Sequence, residues 1–437
     1  MRSHGPSLLL VNPWIEDFAA YDYFAAPLGL LTLAGFLRHQ GFDVTLIDCL
    51  KAPLVRPGPY GTGHYPKKAL PTPPQLSGIP RRYSRYGITE AHFREQLSRL
   101  PTPDAILATS LMTYWYPGVT AAIGIIREIF PGTPVLLGGV YASLCPEHAQ
   151  RVSGADALFT GPGEGPVLSF LAGLTGFAPG PKTHEDLDSQ PYPALDLLPR
   201  LSFIPLLTSR GCPFHCAYCA SRFVAPQYGR RQPLAVVEEL VSWQNLLGLT
   251  EVAFYDDALL VGADSHLLVI LEELARRDKV FRFHTPNAVH ARGLSPRIAR
   301  WLKRANFATL RLGVETTALG DERLDQKLAR GELEEALARL REAGYGPGEV
   351  GVYLLIGLPG QSDDEVASSI RRVRELGAKP ILAQYSPIPG TELWPQAVAV
   401  SRFDLAADPL LHNNSLFPCW PEFSWKRFTR LQRLCQG

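Results

Sequence analysis

The sequence predicts an α/β protein built from two parallel-sheet domains. Two observations carry that prediction. Short apolar runs alternate with helix-length segments along the chain, and a Pro- and Asp-rich stretch at 179–202 interrupts the alternation once. A chain of 437 residues also exceeds one ordinary core, and its 46% hydrophobic content can fill two.

The first domain is expected over 1–178. Leu8, Leu9, Leu10 and Val11 form an apolar run suited to a buried parallel strand at 8–12. Pro27 opens a helix that runs to about Gln40 and stops at Gly41. Further strands are expected at 44–48, 105–110, 134–137 and 157–160, with a helix at 119–130. The fourth strand ends in Gly138-Gly139 and the fifth in Gly161-Pro162-Gly163-Glu164-Gly165. This order implies a doubly wound sheet that binds ligands at the carboxyl ends of its strands. An insertion at about 51–100, rich in Pro, Gly, Tyr and basic residues, reads as a surface loop. Its segment Arg81-Arg82-Tyr83-Ser84-Arg85-Tyr86 offers an alternative role as an anion contact.

After the linker at 179–202, a second domain is expected over 203–394. Strands are read at 203–208, 251–255, 280–284, 308–313, 350–356 and 381–385, with helices in every gap. One helix starts at Pro233 and ends before Gly248, and Ser295-Pro296 caps and opens another. Ser362-Asp363-Asp364-Glu365 is a capping box, and its helix stops at Gly377. Six strands and five helices imply a partial parallel (β/α)6 barrel with its site at the carboxyl mouth. The tail, 395–437, carries a short helix near 425–434.

Charge and leader signals narrow the function. A formal net charge of +1 gives no footprint for nucleic acid or an anionic membrane. The longest nearly apolar stretch, 25–37, contains Pro27 and two glycines and is too short to span a bilayer. The first residues lack the apolar core of a signal peptide, so a cytoplasmic, reducing setting is expected. Of seven cysteines, three fall within eight residues; Cys49, Cys145, Cys419 and Cys435 are scattered and read as structural thiols.

The clustered three lie directly after the first barrel strand, in Arg210-Gly211-Cys212-Pro213-Phe214-His215-Cys216-Ala217-Tyr218-Cys219. This loop resembles the C-x3-C-x-aromatic-C signature of the radical S-adenosylmethionine (radical SAM) enzymes. The resemblance implies that Cys212, Cys216 and Cys219 are the catalytic metal ligands, holding three irons of a four-iron–four-sulfur cluster. The open fourth iron would chelate S-adenosylmethionine, and one electron from a donor such as flavodoxin or ferredoxin would release the 5′-deoxyadenosyl radical. Further segments resemble the family's cofactor contacts. Asp256 and Asp257 follow the second strand where the family more often has Gly-Gly-Glu to grip the substrate amine. Glu315, in Gly313-Val314-Glu315-Thr316, stands where the family binds ribose hydroxyls. Gly357, Pro359 and Gly360, in Ile356-Gly357-Leu358-Pro359-Gly360, resemble the backbone that packs on adenine, which Tyr218 also reaches. From the residues alone, zinc on Cys3His with His215 is an alternative, and acids at strand ends also serve as helix caps. His284, Asn287 and Tyr385 fall at the mouth, where substrate contact and core or cap roles are equally open.

The first domain resembles the flavodoxin-like, Rossmann-like cobalamin-binding domains of one radical SAM branch. The likeness rests on Pro27-Leu28-Gly29, on Gly138 and Gly139, and on Gly163, Glu164 and Gly165, where the cobalamin tail would approach the backbone. The loop from Ser110 through Leu111, Met112, Thr113, Tyr114 and Trp115 to Tyr116 would wall a corrin face. One departure is clear: Asn12-Pro13-Trp14-Ile15-Glu16-Asp17-Phe18 stands where histidine-donating domains have Asp-x-His-x-x-Gly. The implied activity is cobalamin-dependent radical methyl transfer to an unknown organic substrate. The alternatives are a radical rearrangement or oxidoreduction, and a non-enzymatic iron–sulfur or zinc module.

Overall fold

A computed structural model describes residues 5–180, 186–317, 328, 329, 331–420 and 422–436. The chain divides into one unit of Met1–Ser202 with Ala406–His412 and a second of Phe203–Leu405 with Asn413–Gly437. Among the described residues no helix is long and apolar enough to cross a membrane.

In the first unit, the apolar runs become a five-stranded parallel sheet. Its strands are β1 (Ser7–Asn12), β2 (Asp43–Asp48), β3 (Ala105–Ala108), β4 (Val135–Leu137) and β5 (Ala157–Leu158). They lie in the order β5-β4-β3-β1-β2. Leu8, Leu9, Leu10 and Val11 are all buried because β1 is central, pairing Leu10 with Leu46 on one side and Leu107 on the other. Helices α1 (Leu28–His39), α2 (Glu90–Ser98), α3 (Tyr116–Ile129) and α4 (Glu164–Thr175) belong to this unit. The chain leaves β1 for β2 on one side and crosses to β3 on the other, so the carboxyl ends of β1 and β3 flank a topological switch point.

The insertion expected as a surface loop is partly ordered secondary structure. Ile15–Asp17, Lys67–Ala69 and Ser84–Tyr86 form a three-stranded antiparallel sheet, and α2 buries Phe93 and Leu97. Arg85 pairs with Glu16 at 2.7 Å and lies over the Trp14 ring, 4.5 Å from its centroid, while Arg81 covers Phe18. Arg81 and Arg85 therefore take part in packing, while Arg82 is exposed. The expected linker also packs: Ala194 donates its N–H to Leu31 of α1, and the carbonyl of Tyr192 fits against Gly35. Residues 181–185 of that stretch lie outside the described residues. Part of the tail returns to this unit, where Asp408 accepts the Tyr116 hydroxyl at 3.1 Å and a hydrogen bond joins Thr113 to His412.

The second unit carries the barrel strands: β6 (Ile204–Leu206), β9 (Glu251–Phe254), β10 (Arg282–His284), β12 (Phe307–Thr309), β13 (Arg311–Glu315), β14 (Gly351–Ile356) and β15 (Lys379–Gln384). A two-stranded clasp, β7 (Ser209–Arg210) with β8 (Gly229–Arg230), and a short β11 (Val289–His290) complete the set. All barrel pairings are parallel, in two arcs ordered β6-β9-β10-β12 and β11-β13-β14-β15. The strand expected at 308–313 is thus two strands that break at Leu310 and pair to opposite sides. Helices α5 (Pro233–Leu247), α6 (Leu267–Arg276), α7 (Pro296–Arg304), α8 (Glu332–Glu342) and α9 (Asp363–Glu375) connect the strands. Ser295 caps α7, Ser362 and Glu365 close the capping box, and α10 (Trp425–Gln436) ends the chain.

Candidate functional site

The cysteine loop leaves the carboxyl end of β6 through β7 and returns through β8, so its two ends are clasped by antiparallel pairing of Ser209 with Arg230 and Arg210 with Gly229. Gly211 begins the loop at φ +77°, and a Cβ there would lie 2.5 Å from the carbonyl oxygen of Gln227, so only glycine lets the two ends close. The clasp is fastened further by Arg231, which donates its N–H to Thr208 and pairs with buried Glu239. Within the loop, Cys219 donates its N–H to Cys216 at 3.0 Å, a tight turn that brings these two residues close. Cys212, Cys216, Tyr218 and Cys219 are half-buried, whereas His215 is exposed. The Ser221 hydroxyl lies 3.2 Å from the Cys219 sulfur, and the Ser221 N–H donates to it at 3.5 Å.

The donor set fits an iron–sulfur cluster. A cubane gives each thiolate its own iron and needs only a loop that presents three of them. The other cysteines differ in kind. Burial pushes the Cys145 and Cys419 thiols up to about 12 and the Cys435 thiol to about 11, and Cys435 donates back to Leu431 within α10. Burial also holds the Cys49 thiol well above its usual range. Burial thus favours the protonated thiol at all four.

The acidic pair after β9 divides into two roles. Asp256 is 1% exposed, and its carboxylate accepts from the Thr208 N–H at 3.1 Å, the Thr208 hydroxyl at 2.7 Å and the Ser209 hydroxyl at 2.6 Å. Burial raises its pKa, and the bonds from Ser209 and Thr208 oppose the rise. Asp256 is therefore bonded to the base of the cysteine loop. Asp257, the next residue, is exposed.

Glu315 ends β13 at φ +66°, at a bulge where the register with β14 shifts between Gly313 and Glu315. A non-glycine residue held in this left-handed region stores strain of the kind found at ligand clamps. The turn after β14 is organised by Gln361, whose side chain accepts the Gly357 N–H at 2.9 Å and donates to Leu355. The Gly357 N–H is thus occupied internally, while Pro359 and Gly360 reach the surface. His284 is fully buried between Thr309 at 2.9 Å and Glu251 at 2.7 Å, so it is a core residue. Tyr385 is buried as well, and Asn287 donates to the carbonyl of Tyr255.

In the first unit, a small recess of about 10 Å³ lies at the switch point. Asn12, Pro13, Trp14, Leu50, Leu111 and Trp115 are among its lining residues. Asn12 donates to Asp48 at 2.7 Å and so joins the ends of β1 and β2. Ser110 donates its hydroxyl to the Gly138 carbonyl and accepts from the Tyr141 N–H, fixing the turn after β4. Gly139, at φ +92°, leaves space for the chain itself: a Cβ would lie 2.4 Å from the carbonyl oxygen of Ser110. Its glycine is required by backbone packing, whereas Gly165 meets nothing within 4 Å and Gly138 and Gly163 only ordinary contacts. Ser143, unnoticed in the sequence, links the two glycine turns by donating to the Gly139 carbonyl and accepting from the Gly161 N–H. Glu164 opens α4. Of the loop after β3, Tyr114 and Tyr116 are buried, and Met112 is exposed beside half-buried Leu111 and Trp115.

Comparison with known proteins places this geometry. Residues 206–373 match the family model of the radical SAM superfamily. An uncharacterized methyltransferase of Pyrococcus horikoshii is 25% identical over 333 residues, 68% of this chain and 70% of that protein. Cytidylyl-2-hydroxyethylphosphonate methyltransferase of Streptomyces wedmorensis is 21% identical over 57% of this chain, which spans 54% of that protein's length. Among solved structures, the radical S-adenosylmethionine methyltransferase TsrM of Kitasatospora setae, with cobalamin and a four-iron–four-sulfur cluster bound, superposes with a TM-score of 0.69. That match is 16% identical and covers 98% of this chain and 91% of TsrM, a likeness of fold.

Proposed function

We propose that the chain, whose residues 206–373 match the radical SAM family model, is a cobalamin-dependent radical methyltransferase acting on an organic substrate. One observation carries this reading. A clasped C-x3-C-x-aromatic-C loop follows the first barrel strand, and Asp257, Glu315 and Pro359-Gly360 follow later strands of the same parallel arcs.

Cys212, Cys216 and Cys219 would hold a four-iron–four-sulfur cluster, which when bound supplies the electron that splits S-adenosylmethionine to a carbon radical. The protein's own part is positional. The Asp256 brace and the β7–β8 clasp fix where the three sulfurs point. Asp257 offers an exposed carboxylate to an ammonium group, and Glu315, aimed by its bulge, offers acceptors to ribose hydroxyls. Tyr218 and the Pro359-Gly360 turn offer apolar and backbone surface to adenine.

In the first unit, Leu111, Met112 and Trp115 would wall a corrin while Gly138, Gly163, Glu164 and Gly165 admit its tail. Cobalamin bound there would carry the methyl group. Asn12-Pro13 opens the loop after β1, and no histidine stands between it and His39. That loop therefore supplies no imidazole to cobalt.

The reading is tested by reconstituting the protein anaerobically with iron, sulfide and hydroxocobalamin and adding reductant with methyl-deuterated S-adenosylmethionine. S-adenosylhomocysteine and deuterium on the bound corrin are expected beside 5′-deoxyadenosine. Production of 5′-deoxyadenosine alone, with no methyl on the corrin, would sink the methyltransferase reading and favour a radical rearrangement or oxidoreduction.

A further inference from the structure

Helix α10 takes no part in the proposed radical site, yet it is firmly fixed against α9. Its Phe428 and Leu431 are buried. Asp363, which opens α9, accepts from Arg427 at 2.6 Å and from Arg430 at 2.7 Å. Arg374, near the end of α9, donates to the Leu434 carbonyl at 3.1 Å. The two helices therefore run side by side in the same direction. Because α9 begins after the carboxyl end of β14, its Asp363 end lies toward the barrel mouth and its Arg374 end away from it.

A cavity of about 720 Å³ opens along α10 and the end of α9. Arg374, Lys426, Arg430 and Arg433 line it beside Trp425 and Leu434, and no acidic side chain is among its lining residues. Lys426, Arg430 and Arg433 stand at i, i+4 and i+7, which puts them on one face of the helix. Arg430 is paired with Asp363; among the described residues neither Lys426 nor Arg433 has an acidic partner, and both are exposed. A lone surface cation is simply solvated. Four around one cavity repel one another, and an anion placed among them relieves every pair at once. Lys426 and Arg433 are separated by roughly 10 Å along the helix axis. A single phosphate does not span that distance, whereas a row of two or three does. The volume falls within the range of about 300–1,000 Å³ common to small-molecule sites, and Trp425 and Leu434 give the cavity an apolar wall.

We propose that this cavity is an accessory site for a nucleoside triphosphate, with the base at the Trp425 end and the phosphates toward Arg433 and Arg374. The site lies in the helix layer, outside the barrel mouth, and it requires neither the cluster nor the corrin. Arg430 and Arg374 are held in place by Asp363 and Leu434, so half of the cationic set is already oriented before a ligand arrives.

The test is isothermal titration calorimetry of the full chain with GTP, whose base differs from that of S-adenosylmethionine, and separately with inorganic triphosphate. Excess S-adenosylmethionine is present throughout, so that the barrel mouth is not the site being read. GTP is expected to bind. Arg433→Gln should weaken it about tenfold, and Lys426→Gln with Arg433→Gln about a hundredfold, as charge-assisted contacts are lost in turn. Both positions are exposed, so these variants keep the fold, and Arg433→Lys should bind more tightly than Arg433→Gln. Trp425→Leu should weaken GTP about tenfold and leave inorganic triphosphate unchanged. Absence of GTP binding, or an affinity that the charge variants leave unchanged, overturns the proposal. Inorganic triphosphate binding as tightly as GTP overturns the nucleotide assignment. None of these outcomes bears on the cluster, which is tested separately.

Discussion

Replacing Asp256 by Ala tests whether the cysteine loop is positioned from below. The carboxylate accepts three hydrogen bonds, from the Thr208 N–H, the Thr208 hydroxyl and the Ser209 hydroxyl, in a site 1% exposed. Truncation leaves all three donors buried without that acceptor. Each such donor costs about 1–3 kcal/mol, but the hydroxyls can turn elsewhere and the carboxylate's own burial cost is removed, so a net loss of about 3 kcal/mol is expected. In a domain of roughly 200 residues that lowers Tm by about 6–12 °C. Because Thr208 and Ser209 lead into the β7–β8 clasp, cluster content after reconstitution should fall below about half of wild type. Thermal unfolding with iron and sulfide analysis on the same samples measures both. A variant with wild-type Tm and full cluster content would refute the brace.

Other predictions follow from the same geometry. Glu315→Gly should change stability by less than about 1 kcal/mol, since relief of the left-handed strain offsets the entropy that glycine adds to the unfolded chain. Its affinity for S-adenosylmethionine should nonetheless fall at least about tenfold as charged acceptors are lost; urea unfolding and equilibrium dialysis measure the two, and unchanged affinity removes Glu315 from the site. Burial lowers the His284 pKa below its ordinary 6.5, with the Glu251 bond opposing, so the unfolded chain takes up this proton first as pH falls. Its stability contribution is therefore present above pH 6.5 and lost as pH falls toward the lowered folded value, by up to about 1.4 kcal/mol per pH unit. Urea midpoints at pH 7, 6 and 5 should show that slope in wild type and a shallower one in His284→Gln; parallel slopes contradict it. Met112→Ser, at an exposed position of the loop after β3, should leave stability unchanged and reduce corrin retained after desalting. Full retention would mean that this wall is not used.

Much of this was legible in the sequence because local pattern decides it. The apolar run of β1, the Ser295-Pro296 cap, the Ser362–Glu365 box and the spacing of Cys212, Cys216 and Cys219 each depend on neighbours a few residues away. What escaped depends on contacts between distant residues. Ile15–Asp17 pairs with Ser84–Tyr86 in strands of three residues, too short for a period to register. Asp256 and Asp257 look alike in sequence, yet one is buried against Thr208, 48 positions earlier, and the other is exposed. That the chain at Gly139 passes close against Ser110 has no signal in the sequence.

The central claim is that the three loop cysteines support radical cleavage of S-adenosylmethionine. Its most direct test is 5′-deoxyadenosine, quantified by mass spectrometry after anaerobic reconstitution with iron and sulfide and addition of S-adenosylmethionine and a strong reductant, in wild type and Cys216→Ala. The account predicts 5′-deoxyadenosine from wild type alone, with the variant at background. Equal yields from both proteins, or none from either while purified wild type holds stoichiometric zinc, would contradict it.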